Sequence, residues 1–342
     1  MKKQQWILLA LGMGLFSYLI VEVGWQQIIN EIFKLQWKIL PLILIYALVY
    51  SFDTLGWSFG FKPQTHQASF INLFWIRVAG EAVNNTTPTG YMGGEPVKAF
   101  LLKGYGISIP ESLASLVIAK TTLTLSQILF VLIGLGLAFI KLQISSALRN
   151  GIIVGLGLLT LVVLLFLFFQ GKGLFSAMAK SLIRLKIAAK FLMSKMDKIK
   201  ELEFHISDFY RKCKGRFLLS FLFHFLGWLA GILEIYFILK CLGIPLVFSD
   251  AFMIEALHQL VRGLAFMVPA NLGTQEGGNV FIFALFGLGA VLGLSVSLIR
   301  RIRELVWAGL GWGILLKSEH AILPYRAASP TLKGCKKPED CS

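Results

Sequence analysis

Two stretches of the chain gather charged and backbone-bending residues at spacings that suit recognition of an anionic group. The first holds Arg77, Glu81, Asn84, Asn85, Pro88, Gly90, Gly93, Gly94, Glu95 and Lys98. The second holds Arg262, Pro269, Asn271, Gly273, Gln275 and Glu276. In each, a glutamate follows a proline by seven residues, and an arginine precedes that proline by eleven (Arg77) or seven (Arg262). Guanidinium groups make bidentate contacts to phosphate or carboxylate. Helices that begin after such breaks point backbone N–H groups and a positive dipole end at an anion.

A third group, Arg300, Arg301, Arg303 and Glu304, interrupts the last apolar stretch. Arg300 and Glu304 are four apart, the spacing of a pair on one helix face. Charges inside an apolar span are also functional candidates by default. Asp53, Lys120 and Glu234 are thinner candidates: Asp53 suits an arginine partner, and Lys120 suits snorkelling toward the interface. His224 and His258 read as hydrogen-bonded packing residues.

Other chemistries are excluded or left without support. There is no HExxH, Walker A loop or GxSxG elbow, so no catalytic residue and no cofactor is expected. Cys213, Cys241, Cys335 and Cys341 form neither a CxxC nor a Cys/His spacing, so no metal site is expected. Glu81 and Glu95 could serve acid–base work in an intramembrane enzyme or an accessory subunit of lipid or polyprenyl-phosphate modification. Nothing beside them supplies a nucleophile, and transport is the better reading.

The elements that must position these residues are membrane helices. Hydrophobic residues make up 56% of the 342, charged residues 15%, and mean hydropathy is +0.73. A soluble domain would carry roughly 25% charged residues, and several runs here reach the ~20 apolar residues that cross a bilayer. Helices are expected near 6–23, 37–60, 110–140, 150–170, 217–241 and 287–316, with irregular regions at 66–103 and 250–285. The first apolar run ends in Glu22-Val23-Gly24-Trp25 without a small-x-small cleavage site, and reads as an uncleaved helix.

The formal charge of +15 does not imply nucleic acid, because of where it lies. Between 171 and 216 there are 12 Lys or Arg against four acids, 12 − 4 = +8. A basic loop between apolar spans marks the cytoplasmic side, and also suits anionic lipid headgroups. The N- and C-termini then fall on the same side, provided 250–285 re-enters without a net crossing. The expected fold class is an all-α polytopic bundle with two broken, re-entrant segments arranged as a loose inverted repeat. It forms one transmembrane domain over 1–318, followed by a polar tail over 319–342. Inside a bilayer, non-helical backbone survives only in protein or beside a water-filled cavity, and paired broken segments point to a transporter's substrate site. Extramembrane loops would use the same turn formers, but the shared Pro-to-Glu spacing favours re-entrant segments.

At these segments the sequence resembles a known family. Asn84 to Lys98, with its Pro-x-Gly-x-x-Gly-Gly-Glu core, resembles the first signature of the lysylphosphatidylglycerol synthase transmembrane (flippase-like) family. Glu255 to Gly278 and Ser297 to Leu305 are similar to its later motifs, so the likeness covers about residues 5–318. It is nearest to the branch of membrane proteins associated with hopanoid biosynthesis. The resemblance implies a multi-pass protein of the bacterial cytoplasmic membrane that moves a lipid between leaflets. The aminoacyl-transferase domain of full synthases has no counterpart here, so lysine transfer is not expected. The expected partner is a membrane lipid with an anionic or polar headgroup, and the oligomeric state is left open.

Overall fold

Long apolar runs in this chain become helices, and the polar breaks between them set where each helix turns back. A computed structural model describes residues 3–63, 68–87, 92–142, 145–185, 189–264, 268 and 271–327. Among these the chain is all helical, with no strand. In order the helices are α1 (Lys3–Val23), α2 (Trp25–Phe33), α3 (Ile39–Ser58), α4 (Phe70–Thr86), α5 (Gly94–Lys103), α6 (Ile109–Lys141) and α7 (Ser146–Gln170). They continue with α8 (Leu174–Arg184), α9 (Ala189–Lys212), α10 (Lys214–Cys241), α11 (Phe248–Leu264), α12 (Thr274–Leu285) and α13 (Gly289–Ala327). The segments Gln36–Ser58, Ile109–Lys141, Arg149–Gln170 and Lys214–Cys241, within or around α3, α6, α7 and α10, are long and apolar enough to cross a membrane. Helix α13 is longer still but carries the Arg300–Glu304 charges, and it continues beyond the expected domain boundary at 318.

Two apolar clusters define the ends of the bundle. At one end Trp57 and Phe61 close α3, Leu116 lies near the start of α6, and all three share a core with Ile107. The basic helices α8 and α9 cap this end: Lys62 pairs with Asp208 of α9, and Arg216 donates to the Ser58 carbonyl at 2.8 Å. At the far end Leu42 of α3, Leu135 of α6 and Leu239 of α10 share a second core. Helices α3 and α10 therefore run antiparallel, as do α3 and α6.

The four shorter helices form two hairpins that enter from opposite ends. Ala68 and Leu73, at the start of α4, and Leu102, at the end of α5, join the core at the basic end. Ala251 of α11 and Ile282 and Phe283 of α12 join the core at the far end, where Lys141 pairs with Asp250. These helices have 17, 10, 17 and 12 residues. At ~1.5 Å per residue they reach roughly 15–26 Å, short of the ~30 Å hydrocarbon core. Each hairpin goes partway in and returns. The region 250–285 thus makes no net crossing, and α13 leaves from the far end.

Helix α4 ends at Thr86, two residues before Pro88, as expected of a helix stopped by proline, and α11 is described to Leu264. Pro88, Gly90 and Pro269 lie outside the described residues.

Beside the buried Ile206 and Phe209, one tie that holds α9 is electrostatic and therefore pH-dependent. Lys212, at 2.8 Å, and Lys62 donate to Asp208, and these hydrogen bonds lower its carboxyl from the ordinary range to about 2. A carboxylate depressed in the folded state contributes stability above its unfolded value near 3.9, lost as pH falls through about 2. Asp208→Asn removes that tie at every pH. Limited trypsin digestion of the 172–214 region is expected to speed up several-fold at pH 7; an unchanged rate would contradict this anchor.

Candidate functional site

The two hairpins meet at one cavity of about 250 Å³. This is close to the lower end of small-molecule sites, roughly 300 Å³ upward. Helix α3 lines it with Tyr46, Tyr50 and Asp53, α4 with Arg77, Glu81 and Asn85, and α6 with Lys120, Leu123 and Gln127. From the other side come Gly227, Trp228 and Glu234 of α10, Glu255, His258, Gln259, Arg262 and Gly263 of α11, and Arg300 and Arg303 of α13. Residues 120–127 sit roughly 17–27 Å along the ~50 Å of α6 at 1.5 Å per residue. The cavity is at mid-depth.

On the first hairpin's side, Arg77 donates to Asp53 at 2.7 Å. Lys98, only 2% exposed, bridges Glu81 at 2.7 Å and Glu95 at 3.2 Å, and Lys120 reaches Glu95 at 3.0 Å. Lys120 does not snorkel. Its side chain keeps 41% exposure deep within α6 because it borders the cavity. Asp53 does partner an arginine, across 24 residues of sequence.

On the second side the pairing differs from the i,i+4 expectation. Arg300 pairs with Glu255 of α11 and, at 3.6 Å, with Glu234 of α10; it makes no recorded pair with Glu304. Arg303 pairs with Glu234 and stacks its guanidinium on Tyr46, 3.6 Å from the ring centroid. Glu304 takes Arg301 at 3.3 Å and Arg303 at 3.4 Å, and also lies within the field of Arg262. Cross-helix partners win because Arg300 is buried to 3%. A charge held there is tolerable only when a carboxylate meets it, and Glu255 and Glu234 on the facing helices do so.

Seven cations (Arg77, Lys98, Lys120, Arg262, Arg300, Arg301, Arg303) stand against seven carboxylates (Asp53, Glu81, Glu95, Glu234, Glu255, Glu276, Glu304), so this charged network is neutral. The Nε groups of Arg77, Arg300 and Arg303 are buried without a hydrogen-bond partner. These guanidiniums keep donor capacity that the protein's own carboxylates do not use.

The glutamates at the end of each motif have a structural role that spacing alone did not reveal. Both fall in the first turn of the returning helix, where a negative charge meets the positive helix end. Glu276 accepts from the Gly273 N–H at 2.7 Å, and Arg301 holds its other oxygen at 2.9 Å. Asn84 accepts from the Gly94 N–H at 2.7 Å. The helix ends expected to receive an external anion are thus occupied, at these N–H groups, by the chain itself. Gly94 is required for another reason: a Cβ there would strike the carbonyl oxygen of Gly80, so α4 and α5 close on each other only with glycine.

Of the expected site residues, Arg77, Glu81, Asn85, Arg262, Arg300 and Arg303 line the cavity. Asn84, Gly94, Glu95, Lys98, Glu276 and Glu304 stand one layer behind, bonding to the lining groups or to the helix ends. Asn271, Gly273 and Gln275 belong to the turn and first turn of α12 and do not line it, nor does Gly93. Tyr46, Tyr50, Glu255, Gln259 and Gln127 line it without having been singled out. Glu255 was legible in principle, lying seven residues before Arg262 in an apolar helix. His224 and His258 are buried and hydrogen-bonded, His258 to Asn279 at 2.8 Å and His224 to Thr122 at 3.0 Å. Among the described residues no cluster of potential metal ligands occurs, and Cys213 and Cys241 are unbonded.

Apolar crossing helices, half-length hairpins and a match to a family of membrane proteins along nearly the whole chain define a multi-pass membrane protein. The chain belongs to the lysylphosphatidylglycerol synthase TM region family, which it matches over residues 5–313. It is 27% identical over 335 residues to a UPF0104 membrane protein of Pyrococcus horikoshii, covering 94% of this chain and 98% of the relative. A UPF0104 membrane protein of Methanothermobacter thermautotrophicus is 22% identical, with 97% of this chain and 98% of the relative covered. One of Methanocaldococcus jannaschii is 23% identical, with 86% and 89% covered. No solved structure matches the chain.

Proposed function

We propose that this protein moves a lipid with an anionic or polar headgroup between the leaflets of the cytoplasmic membrane. The observation that carries the reading is the neutral, ion-paired cavity at mid-depth, walled by hairpins that enter from opposite ends. A headgroup crossing the bilayer must exchange its water for other polar partners. Here a phosphate can compete with Asp53 for Arg77, or with Glu255 and Glu234 for Arg300 and Arg303. The carboxylates keep the cations paired when no lipid is bound, which limits the cost of the empty state. The positive-inside rule favours a cytoplasmic α8–α9 end. The basic helices there would rest on anionic headgroups.

Purified protein is expected to be stabilised by added phosphatidylglycerol, by about 2.7 kcal/mol at a hundredfold excess over Kd. Uncharged diacylglycerol should stabilise it far less, and lipid mass spectra should stay unchanged after incubation. Equal stabilisation by both lipids contradicts the headgroup site. A lipid species of new mass would point to an intramembrane enzyme.

A further inference from the structure

The charged cavity does not end at its polar wall. Gln127, Gln259 and Gly263 border it and also border a second cavity of about 140 Å³. The second space is apolar: its other walls include Ile128 and Val131 of α6, Leu156, Leu159 and Val163 of α7, and Leu260 of α11. Helix α7 is the least embedded of the crossing helices. Leu156 is its one buried apolar residue among those described, while Leu161, Val162 and Leu165 are 53%, 62% and 48% exposed. It is pinned at the basic end, where Gln170 donates to Thr121 at 3.0 Å and meets Tyr210. A polar chamber and an apolar slot beside a loosely packed helix therefore share a wall of two amides and a glycine.

We propose that this slot holds the first part of the hydrocarbon chain of the lipid whose headgroup enters the cavity, and that the α7 side is where the lipid passes to and from the bilayer. The inference rests on the headgroup reading above and adds a tail site to it. The occupant is a lipid chain rather than a free apolar molecule because the slot adjoins the charged cavity at Gln127, Gln259 and Gly263. Only an amphiphile gains from filling both at once. The two glutamines suit the ester or alcohol region between head and chain, where a few hydrogen bonds are wanted and no net charge is.

Gly263 gives a clean test. A Cβ at this position meets no heavy atom within 4 Å, and the residue lies on helix α11. Gly263→Leu should therefore fold, with better helix propensity than wild type, while its side chain projects into open space at the junction. The probe is phosphatidylglycerol bearing a mid-chain diazirine, incorporated in phosphatidylcholine vesicles with the full chain. In wild type, light-induced adducts are expected on the peptides that carry Ile128, Leu156 and Leu260. In Gly263→Leu they should fall at least tenfold, with thermal unfolding no lower than in wild type. Adducts only on the outward residues of α7, such as Leu161 and Leu165, would overturn the slot and leave the headgroup site standing. So would undiminished labelling of the slot in a folded Gly263→Leu. Slot adducts in a protein that fails to exchange lipid between leaflets would support the tail site and reject translocation.

Discussion

Glu234→Gln is expected to destabilise the protein by about 3–5 kcal/mol, the cost of leaving a buried charge without its partner. Glu234 is 2% exposed and accepts from Arg303, with Arg300 at 3.6 Å. Glutamine keeps the volume and one acceptor but removes the charge that balances these guanidiniums. Packing is nearly conserved, so the loss measures electrostatics. The double variant Glu234→Gln/Arg303→Gln removes one charge of each sign and should recover most of the stability. The cycle then gives a coupling of about 3 kcal/mol or more, at the top of the range for residues in one network. Unfolding monitored in detergent, compared across the cycle, checks this. Additive losses would mean that the pair is not coupled.

Gly94→Ala should be nearly as severe by another route. The added methyl would fall on the Gly80 carbonyl, and the backbones of α4 and α5 cannot separate without disturbing Asn84, which accepts from the Gly94 N–H. Overpacking of this kind costs about 1–3 kcal/mol where side chains can yield, and here the obstacle is backbone. We expect about 3 kcal/mol or more, together with loss of the Lys98 bridge between Glu81 and Glu95. Membrane-embedded yield and thermal unfolding would read the effect. A variant as stable as wild type would contradict the close approach of the two helices.

Both predictions rest on contacts that sequence patterns do not carry. The crossing helices, the basic segment and the two polar interruptions were legible, since a run of apolar residues or a local excess of lysine needs no partner to be recognised. The cavity-lining arginines were legible for the same reason: a charge in an apolar run stands out. Partner choice was not. Arg77 meets Asp53 24 residues away, Arg300 meets Glu255 45 away, and Arg303 meets Glu234 69 away. Helical periodicity assigns faces within one helix, and it offered Arg300 only the nearby Glu304. The role of Glu95 and Glu276 was hidden too. Their spacing from proline marked them as site residues, and their place in the first turn of α5 and α12 also makes them counter-charges at helix ends. Signature glycines likewise divide by cause: Gly94 permits a backbone approach, and Gly273 adopts φ +77° before α12.

The opposed entry of the hairpins gives the cavity its character. One wall is built from the basic end and the other from the far end, and the ion pairs join helices within each half: α3 to α4, and α10 and α11 to α13. A headgroup that displaces Asp53 from Arg77 acts on the first hairpin. One that displaces Glu255 from Arg300 acts on the second. In the proposed function, exchange of partners between the two halves would carry a headgroup from one side to the other.

Leaflet exchange in proteoliposomes tests this claim most directly. Fluorescent phosphatidylglycerol is placed in both leaflets, and an impermeant reductant bleaches the outer one, so that further loss of signal reports lipid arriving from inside. Wild-type protein is expected to raise the exchange rate at least tenfold over protein-free vesicles, and Arg262→Ala, on the cavity wall, to return it to near the protein-free rate. Exchange at the protein-free rate with folded wild-type protein, or full exchange in Arg262→Ala, would contradict the account.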